Sequence, residues 1–194
     1  MIHWEYKTDA IVLDSFPVGE ANASFALLTP EIGMVYAVAQ GIRLEKSKLR
    51  FTLQQYAHCS LVLVYGKTGW RITNAVPINN PSIEATMSGR IIIARVIGLI
   101  RRLVTGEEPH TELYQVCVDA MNTLSTTDSH QTHSHIETVW VLRILYYLGY
   151  IDNNAIISPA LAVDIKDVEK NMFSTELSRD AIVQINRAIA SSHL

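Results

Sequence analysis

The sequence has little cysteine and no long apolar run. Its two cysteines, Cys59 and Cys117, do not form a CxxC pair. They could form a disulfide in a secreted chain, but the N-terminus lacks the basic and apolar regions of a secretory signal. The longest apolar candidate, 91–104, is interrupted by three arginines and cannot span a bilayer. We therefore expect a cytoplasmic protein with no membrane partner, whose thiols are buried rather than reactive.

The sequence also lacks recognisable catalytic motifs. GxSxG, HExxH, Walker A and GxGxxG patterns do not occur, and the acidic residues are scattered. The histidines His130, His133 and His135 could supply ligands to a metal, but no second cluster of ligating residues accompanies them. A polar, histidine-bearing loop is the simpler interpretation. We expect no enzymatic activity, no cofactor and no metal.

Charge is distributed unevenly along the chain. The formal net charge of −3 excludes a global basic field. Residues 1–80 carry a net charge of +1, whereas residues 81–194 carry −4. Any attraction to phosphates must therefore be local and should lie in the first half. At 194 residues and 48% hydrophobic content, the chain is long enough for one large domain or two small ones.

The sequence pattern of residues 1–80 predicts β-structure. Short apolar and β-branched runs are separated by turn clusters, and Gly66 to Gly69 predicts a tight hairpin. The predicted strands cover 10–13, 25–29, 34–39, 61–65 and 70–76. Five strands in about eighty residues suit a barrel of the oligonucleotide-binding (OB) type better than a sandwich.

A shift in composition at 77–81 marks the predicted domain boundary, because prolines and asparagines cluster there. Beyond it the apolar spacing changes from two to about 3.6 residues. Helices are predicted from Ser82 to about Val104, from Thr111 to about Leu124, from Ser134 to Gly149, and from Ser178 onward. The prediction is an α+β chain: an OB barrel over 1–79 and an all-α domain over 80–194.

A basic segment follows the third predicted strand. It holds four cations against one acid, Glu45, for a local charge of +3; the cations are Arg43, Lys46, Lys48 and Arg50. A cationic connection on a small barrel suits single-stranded nucleic acid, although a solvated loop has the same composition. Tyr36 and Trp70 are predicted on the outer face, where bases could stack, and Lys67 and Arg71 complete the predicted DNA-binding set. Tyr56 and Tyr65 fit a barrel core.

Five stretches, in order along the chain, resemble the RecO family of bacterial recombination mediators over about residues 6–150. They are Thr8 to Leu13 with Gly19-Glu20; Leu27 to Gly33; Ala37 to Arg43 with Lys46 to Arg50 and Leu53 to Tyr56; Gly106 to Pro109 with Glu112 to Tyr114; and Leu145 to Tyr150.

The resemblance implies an OB-fold followed by a helical domain, binding of single- and double-stranded DNA, annealing of complementary strands, and help in loading the recombinase. It also implies a nucleoid-associated protein whose partners are RecR and the acidic, hydrophobic tail of single-stranded-DNA-binding protein. The basic segment would lie on the DNA face.

The sequence departs from the family pattern at three places. Gln40 stands where the family commonly has lysine, and Gln55-Tyr56 replaces a Pro-Phe pair. The family's two CxxC pairs are missing from 151–173, so we predict no zinc ribbon.

The missing lysine keeps open an alternative from another class, an OB-fold adaptor that mainly binds protein. In this reading an acidic peptide tail lies between helices. Arginines would pair with its carboxylates and apolar side chains would hold its apolar end. The candidate partner-binding residues are Leu99, Arg101, Arg102, Leu103, Val141 and Arg143.

Overall fold

The computed structural model describes residues 5–155, 157–167 and 175–191. The chain divides into two compact units. One comprises Met1–Pro81 together with Thr105–Tyr114, and the other comprises Ser82–Val104 together with Gln115–Leu194. The segment 105–114, which is predicted from the sequence to lie in the helical domain, belongs to the first unit.

The first unit is a closed barrel with the strand order β1-β2-β3-β5-β4. Its strands are β1 (Glu5–Val18), β2 (Asn22–Thr29), β3 (Gly33–Ala39), β4 (His58–Gly66) and β5 (Gly69–Asn79). Neighbouring strands are antiparallel except for β3 and β5, which run parallel, and β1 pairs with β4 to close the barrel. The predicted five-stranded OB-type barrel is confirmed.

The barrel forms because apolar residues alternate along the strands. Ala10 and Val12 on β1, Leu61 and Leu63 on β4, and Ile72 on β5 are all buried in one cluster. On β4 and β5 the alternate positions Val62, Arg71 and Thr73 are more exposed, whereas Ile11 between Ala10 and Val12 is itself buried. Register shifts within β1–β2 and β4–β5 bend the strands, as closure of so small a barrel demands.

Segment 105–114 packs against the turn between β2 and β3. The Met34 amide donates to the Gly106 carbonyl at 3.2 Å, and the His110 amide donates to the Pro30 carbonyl at 3.1 Å. Gly33 has a φ of +83°, and a Cβ there would lie 2.0 Å from the Glu108 carbonyl oxygen. Only glycine permits this close approach.

The helices are α1 (Leu49–Thr52), α2 (Pro81–Glu84), α3 (Met87–Leu103), α4 (Thr111–Thr126), α5 (His130–Tyr147), α6 (Ile157–Ala162) and α7 (Thr175–Ser191), with a 3₁₀ turn at Ile165–Asp167. Helix α1 lies between β3 and β4. The second unit contains α3, α5, α6, α7 and the part of α4 beyond Tyr114, and its buried residues include Ile93, Met121 and Trp140. No helix in the described ranges is both long and apolar enough to cross a membrane.

Two helix starts differ from the prediction. The helix predicted from Ser82 breaks after Glu84, because Thr86 caps α3 by accepting a hydrogen bond from the Gly89 amide at 3.3 Å. Helix α5 begins at His130 rather than at Ser134, since Ser129 is its N-cap. The predicted histidine loop is thus largely helix.

Candidate nucleic-acid interface

The basic connection, residues 40–57, joins β3 to β4 and is held by hydrogen bonds at both ends. Near its start, the Arg43 amide donates to the Ala21 carbonyl at 3.0 Å. The Arg43 Nη1 donates to the Gly19 carbonyl at 2.7 Å. At its end, Tyr56 donates its amide to the Val12 carbonyl at 2.8 Å. The connection is therefore held against β1 and the β1–β2 turn.

The predicted phosphate-binding cations lie on this connection and are solvent-exposed. They are Arg43, Lys46, Lys48 and Arg50. Among the described residues, no carboxylate lies within ion-pair distance of any of them. The Arg50 guanidinium lies 5.0 Å from the centre of the Phe51 ring, which is 67% exposed. The connection presents uncompensated positive charge to solvent.

The strand register determines which side chains share the outer face of the barrel. Tyr36 and Val38 lie two residues apart on β3 and point the same way. Arg71 on β5 is the direct partner of Val38, so it belongs to that face. Tyr36 is 55% exposed, as predicted for an aromatic outside the barrel. The outer face next to the basic connection therefore carries both an aromatic ring and a cation.

The prediction that Trp70 lies on the outer face is wrong. Trp70 is paired with Ala37, a fully buried core residue, and is itself only 8% exposed. Its Nε1 donates to the Glu107 Oε1 at 2.9 Å. The spacing of Trp70 and Ile72 around Arg71 was a signal for this orientation, because apolar residues two apart on a strand share its inner face.

The β4–β5 hairpin carries the remaining predicted cations. Lys67 in its turn is exposed. The Arg71 side chain packs against Gly66 of the same hairpin, because its Nε lies only 3.6 Å from the point where a Cβ on Gly66 would be. This Nε is buried and has no hydrogen-bond partner among the described residues. The hairpin also carries Tyr65, which is predicted in the barrel core but is 58% exposed.

The candidate partner-binding residues cluster only in part. Leu99 and Val141 are buried, and together with the exposed Arg102 they line a cavity of about 440 Å³ between α3, α5 and α7. Arg95 also lines it and pairs with Glu137 at 2.7 Å. Leu103 is buried and Arg101 half-buried, and neither lines this cavity.

Arg143 does not fit the predicted role, because its side chain is buried and its Nε and Nη2 donate to backbone carbonyls. Its Nε donates to the Ala160 carbonyl at 2.8 Å, and its Nη2 donates to the carbonyls of Leu161 and Val163. It therefore fastens α5 to the end of α6. A peptide carboxylate has no access to it, and the prediction is wrong.

The histidines are not gathered into a metal site. His133 is buried; its Nε2 donates to the Thr127 carbonyl at 2.7 Å, and its Nδ1 lies 2.7 Å from the Ser88 Oγ. No group of three potential ligands is close enough to hold a metal among the residues described. Both cysteines are buried, as predicted, and burial raises the pKa of each thiol to about 12.

Comparison with known proteins adds the family context. Residues 1–81 match the family model described as Recombination protein O N terminal. The chain is similar to proteins named DNA repair protein RecO. The Heliobacterium modesticaldum protein is 30% identical over 148 residues, covering 75% of this chain and 52% of that protein. The Trichodesmium erythraeum protein is 25% identical over 146 residues, covering 75% and 49%. The chain thus spans about half the length of the curated relatives it matches.

Proposed function

Since this chain belongs to the RecO family, we propose that it is a DNA repair and recombination mediator that binds single- and double-stranded DNA and anneals complementary strands. The observation that carries the proposal is the exposed basic connection, whose four cations have no carboxylate partner among the described residues. Tyr36 and Arg71 on the adjoining outer face extend it along the barrel.

The proposed mechanism is electrostatic and needs no catalysis. Two complementary strands repel each other through their phosphates, and cations on the basic connection lower that repulsion when both strands are bound. Lysine and arginine contact phosphates without occupying the base edges, so the bases stay free to pair. Assistance in recombinase loading, with a RecR-like protein as partner, is part of the same proposal.

Strand annealing tests this mechanism. Lys46→Gln, Lys48→Gln and Arg50→Gln combined should slow annealing of complementary oligonucleotides and weaken DNA binding together. A matched control removes three positive charges from the second unit through Lys166→Gln, Arg179→Gln and Arg187→Gln. If both triple variants anneal equally well, the basic connection is not the DNA face.

A second candidate function rests on the cavity between α3, α5 and α7. Its apolar lining and the exposed Arg102 match an acidic peptide with an apolar end, such as the tail of single-stranded-DNA-binding protein, whereas Arg95 is paired with Glu137 in the same lining. We propose this as a partner site that can coexist with DNA binding.

Anisotropy of a labelled acidic tail peptide measures this binding. Arg102→Glu should weaken it, because Arg102 lines the cavity and is exposed. Arg179→Glu has the same charge change on an exposed residue that does not line the cavity, and should leave binding unchanged. Equal affinity of the two variants would exclude the cavity as the site.

A further inference from the structure

Three aromatic residues form a cluster on three adjacent strands of the barrel. Tyr6 lies on β1, Tyr65 on β4 and Trp70 on β5, and the last two are direct cross-strand partners. The Trp70 ring centre lies 5.1 Å from that of Tyr6 and 4.9 Å from that of Tyr65. The interplanar angles are 82° and 74°, so both contacts are edge-to-face. This geometry is favourable for aromatic pairs beyond simple burial.

The cluster has a fixed base and an exposed upper part. Trp70 is 8% exposed and is held by its hydrogen bond to Glu107. Tyr6 and Tyr65, in contrast, are 47% and 58% exposed. Both tyrosine rings are therefore supported by one anchored indole while presenting surface to solvent. Because the rings are already ordered, a ligand that contacts them loses little side-chain entropy.

The charges around the cluster indicate what it can bind. Glu107 lies at its base, and the exposed Glu5 precedes Tyr6 in the chain. These carboxylates disfavour a phosphate directly on the rings. A neutral planar group such as a nucleic-acid base is compatible with them. Lys67 lies in the turn of the hairpin that carries Tyr65, is exposed, and can hold a phosphate next to that base.

The cluster lies close to the start of the basic connection. Trp70 pairs with Ala37, three residues before Gln40. At a rise of about 3.3 Å per residue, this separation is about 10 Å along β3. OB-folds bind roughly 4–16 nucleotides of single strand, so one strand can reach both places.

We propose that Tyr6 and Tyr65 form a stacking platform for unpaired bases, with Trp70 as the positioning residue that holds the two rings. The proposal rests on the proposed DNA-binding function and assigns the single-strand component of that binding to a second place on the barrel. Paired bases in a duplex do not expose their faces, so the platform acts on single strands only.

Three probes separate stacking from phosphate binding: a 12-nucleotide thymidine strand, an abasic strand of the same length, and a duplex. The wild-type chain should bind the thymidine strand more tightly than the abasic strand. Tyr6→Ala with Tyr65→Ala should weaken thymidine binding by at least about fivefold per ring, without affecting the abasic strand or the duplex. Tyr6→Phe with Tyr65→Phe, which keeps both rings, should retain wild-type affinity.

The double variant Tyr6→Leu, Tyr65→Leu keeps apolar bulk but has no aromatic ring face. It should bind like the alanine double variant, and it controls for a loss of binding caused by damage to the barrel. Tyr147→Ala with Tyr150→Ala, on the second unit, should have no effect. Equal wild-type affinity for thymidine and abasic strands, or full binding by the leucine pair, overturns the platform while leaving phosphate binding intact. Absence of wild-type binding to all three probes overturns both proposals.

Discussion

At the residue scale, His58 links the barrel to segment 105–114 through the side chain of Tyr114. Its Nε2 lies 2.8 Å from the Tyr114 hydroxyl, and the two rings meet edge-to-face. Burial lowers the pKa of His58 below its usual 6.5, although Asp9 and Asn79 act in the opposite direction. The folded state therefore favours the neutral imidazole.

We predict that stability falls as pH drops below 6.5. Between the lowered folded pKa and 6.5, the unfolded chain binds more protons at this position than the folded chain does. The contribution of His58 is thus complete above pH 6.5 and is lost as pH falls through the folded pKa. Urea unfolding between pH 5 and 8 measures it.

His58→Gln is the matched variant, because its side chain keeps a polar group but does not titrate. The wild type should lose more unfolding free energy than the variant on acidification. Parallel stability curves for the two proteins would show that His58 is not responsible.

At the element scale, the junction between the β2–β3 turn and segment 105–114 depends on one glycine. Gly33→Ala would place a Cβ 2.0 Å from the Glu108 carbonyl oxygen at a φ of +83°. We predict a loss of unfolding free energy on the order of 4 kcal/mol, since the backbone itself must move.

Gly19→Ala separates the steric clash from the conformational cost. Gly19 has a φ of +60°, but a Cβ there meets no atom within 4 Å. Its expected cost is the left-handed backbone penalty alone, about 1–2 kcal/mol. Chemical unfolding of both variants compares them, and equal losses would mean that segment 105–114 does not press on Gly33.

Most strands and helices could be predicted from the sequence, because the alternation of apolar residues and the clusters of turn residues are local patterns. The five strands appear near their predicted positions, but several are longer: β1 runs over Glu5–Val18, against a predicted 10–13. The residues that extend β1 beyond 10–13 include polar ones that pair with a neighbouring strand through their backbone. Backbone pairing does not require apolar side chains, so the pattern of apolar residues does not reveal it. The helix break at Thr86 was missed because a threonine inside an apolar-periodic segment is ambiguous until its cap is seen.

Side-chain roles that depend on contacts between residues far apart in the sequence could not be predicted from such local patterns. Arg143 is predicted from the sequence to bind a partner, yet the carbonyls that it binds lie 17 to 20 residues further along its own chain. The attachment of segment 105–114 to the barrel likewise depends on backbone hydrogen bonds and a close glycine contact that no periodicity encodes. The exposed cations of the basic connection were identifiable, because a charged loop between two strands is a local pattern.

At the scale of the whole molecule, the chain is acidic and any attraction to DNA must be local. The net charge of −3 means that a non-specific basic surface cannot account for binding. The proposed function therefore depends on the basic connection, with a smaller electrostatic contribution from Lys67 and Arg71. Phosphate contacts release counterions, so their number can be read from the salt dependence of affinity.

The most direct test is a salt titration of single-strand binding by fluorescence anisotropy. With about four to six phosphate contacts, log K should fall against log salt with a slope of roughly −3 to −4. The triple variant with Lys46→Gln, Lys48→Gln and Arg50→Gln should have a slope that is shallower by about 2, because each lost phosphate contact reduces the slope by about 0.7. A flat wild-type slope, or the same slope in wild type and variant, would contradict the assignment of the basic connection as the DNA face.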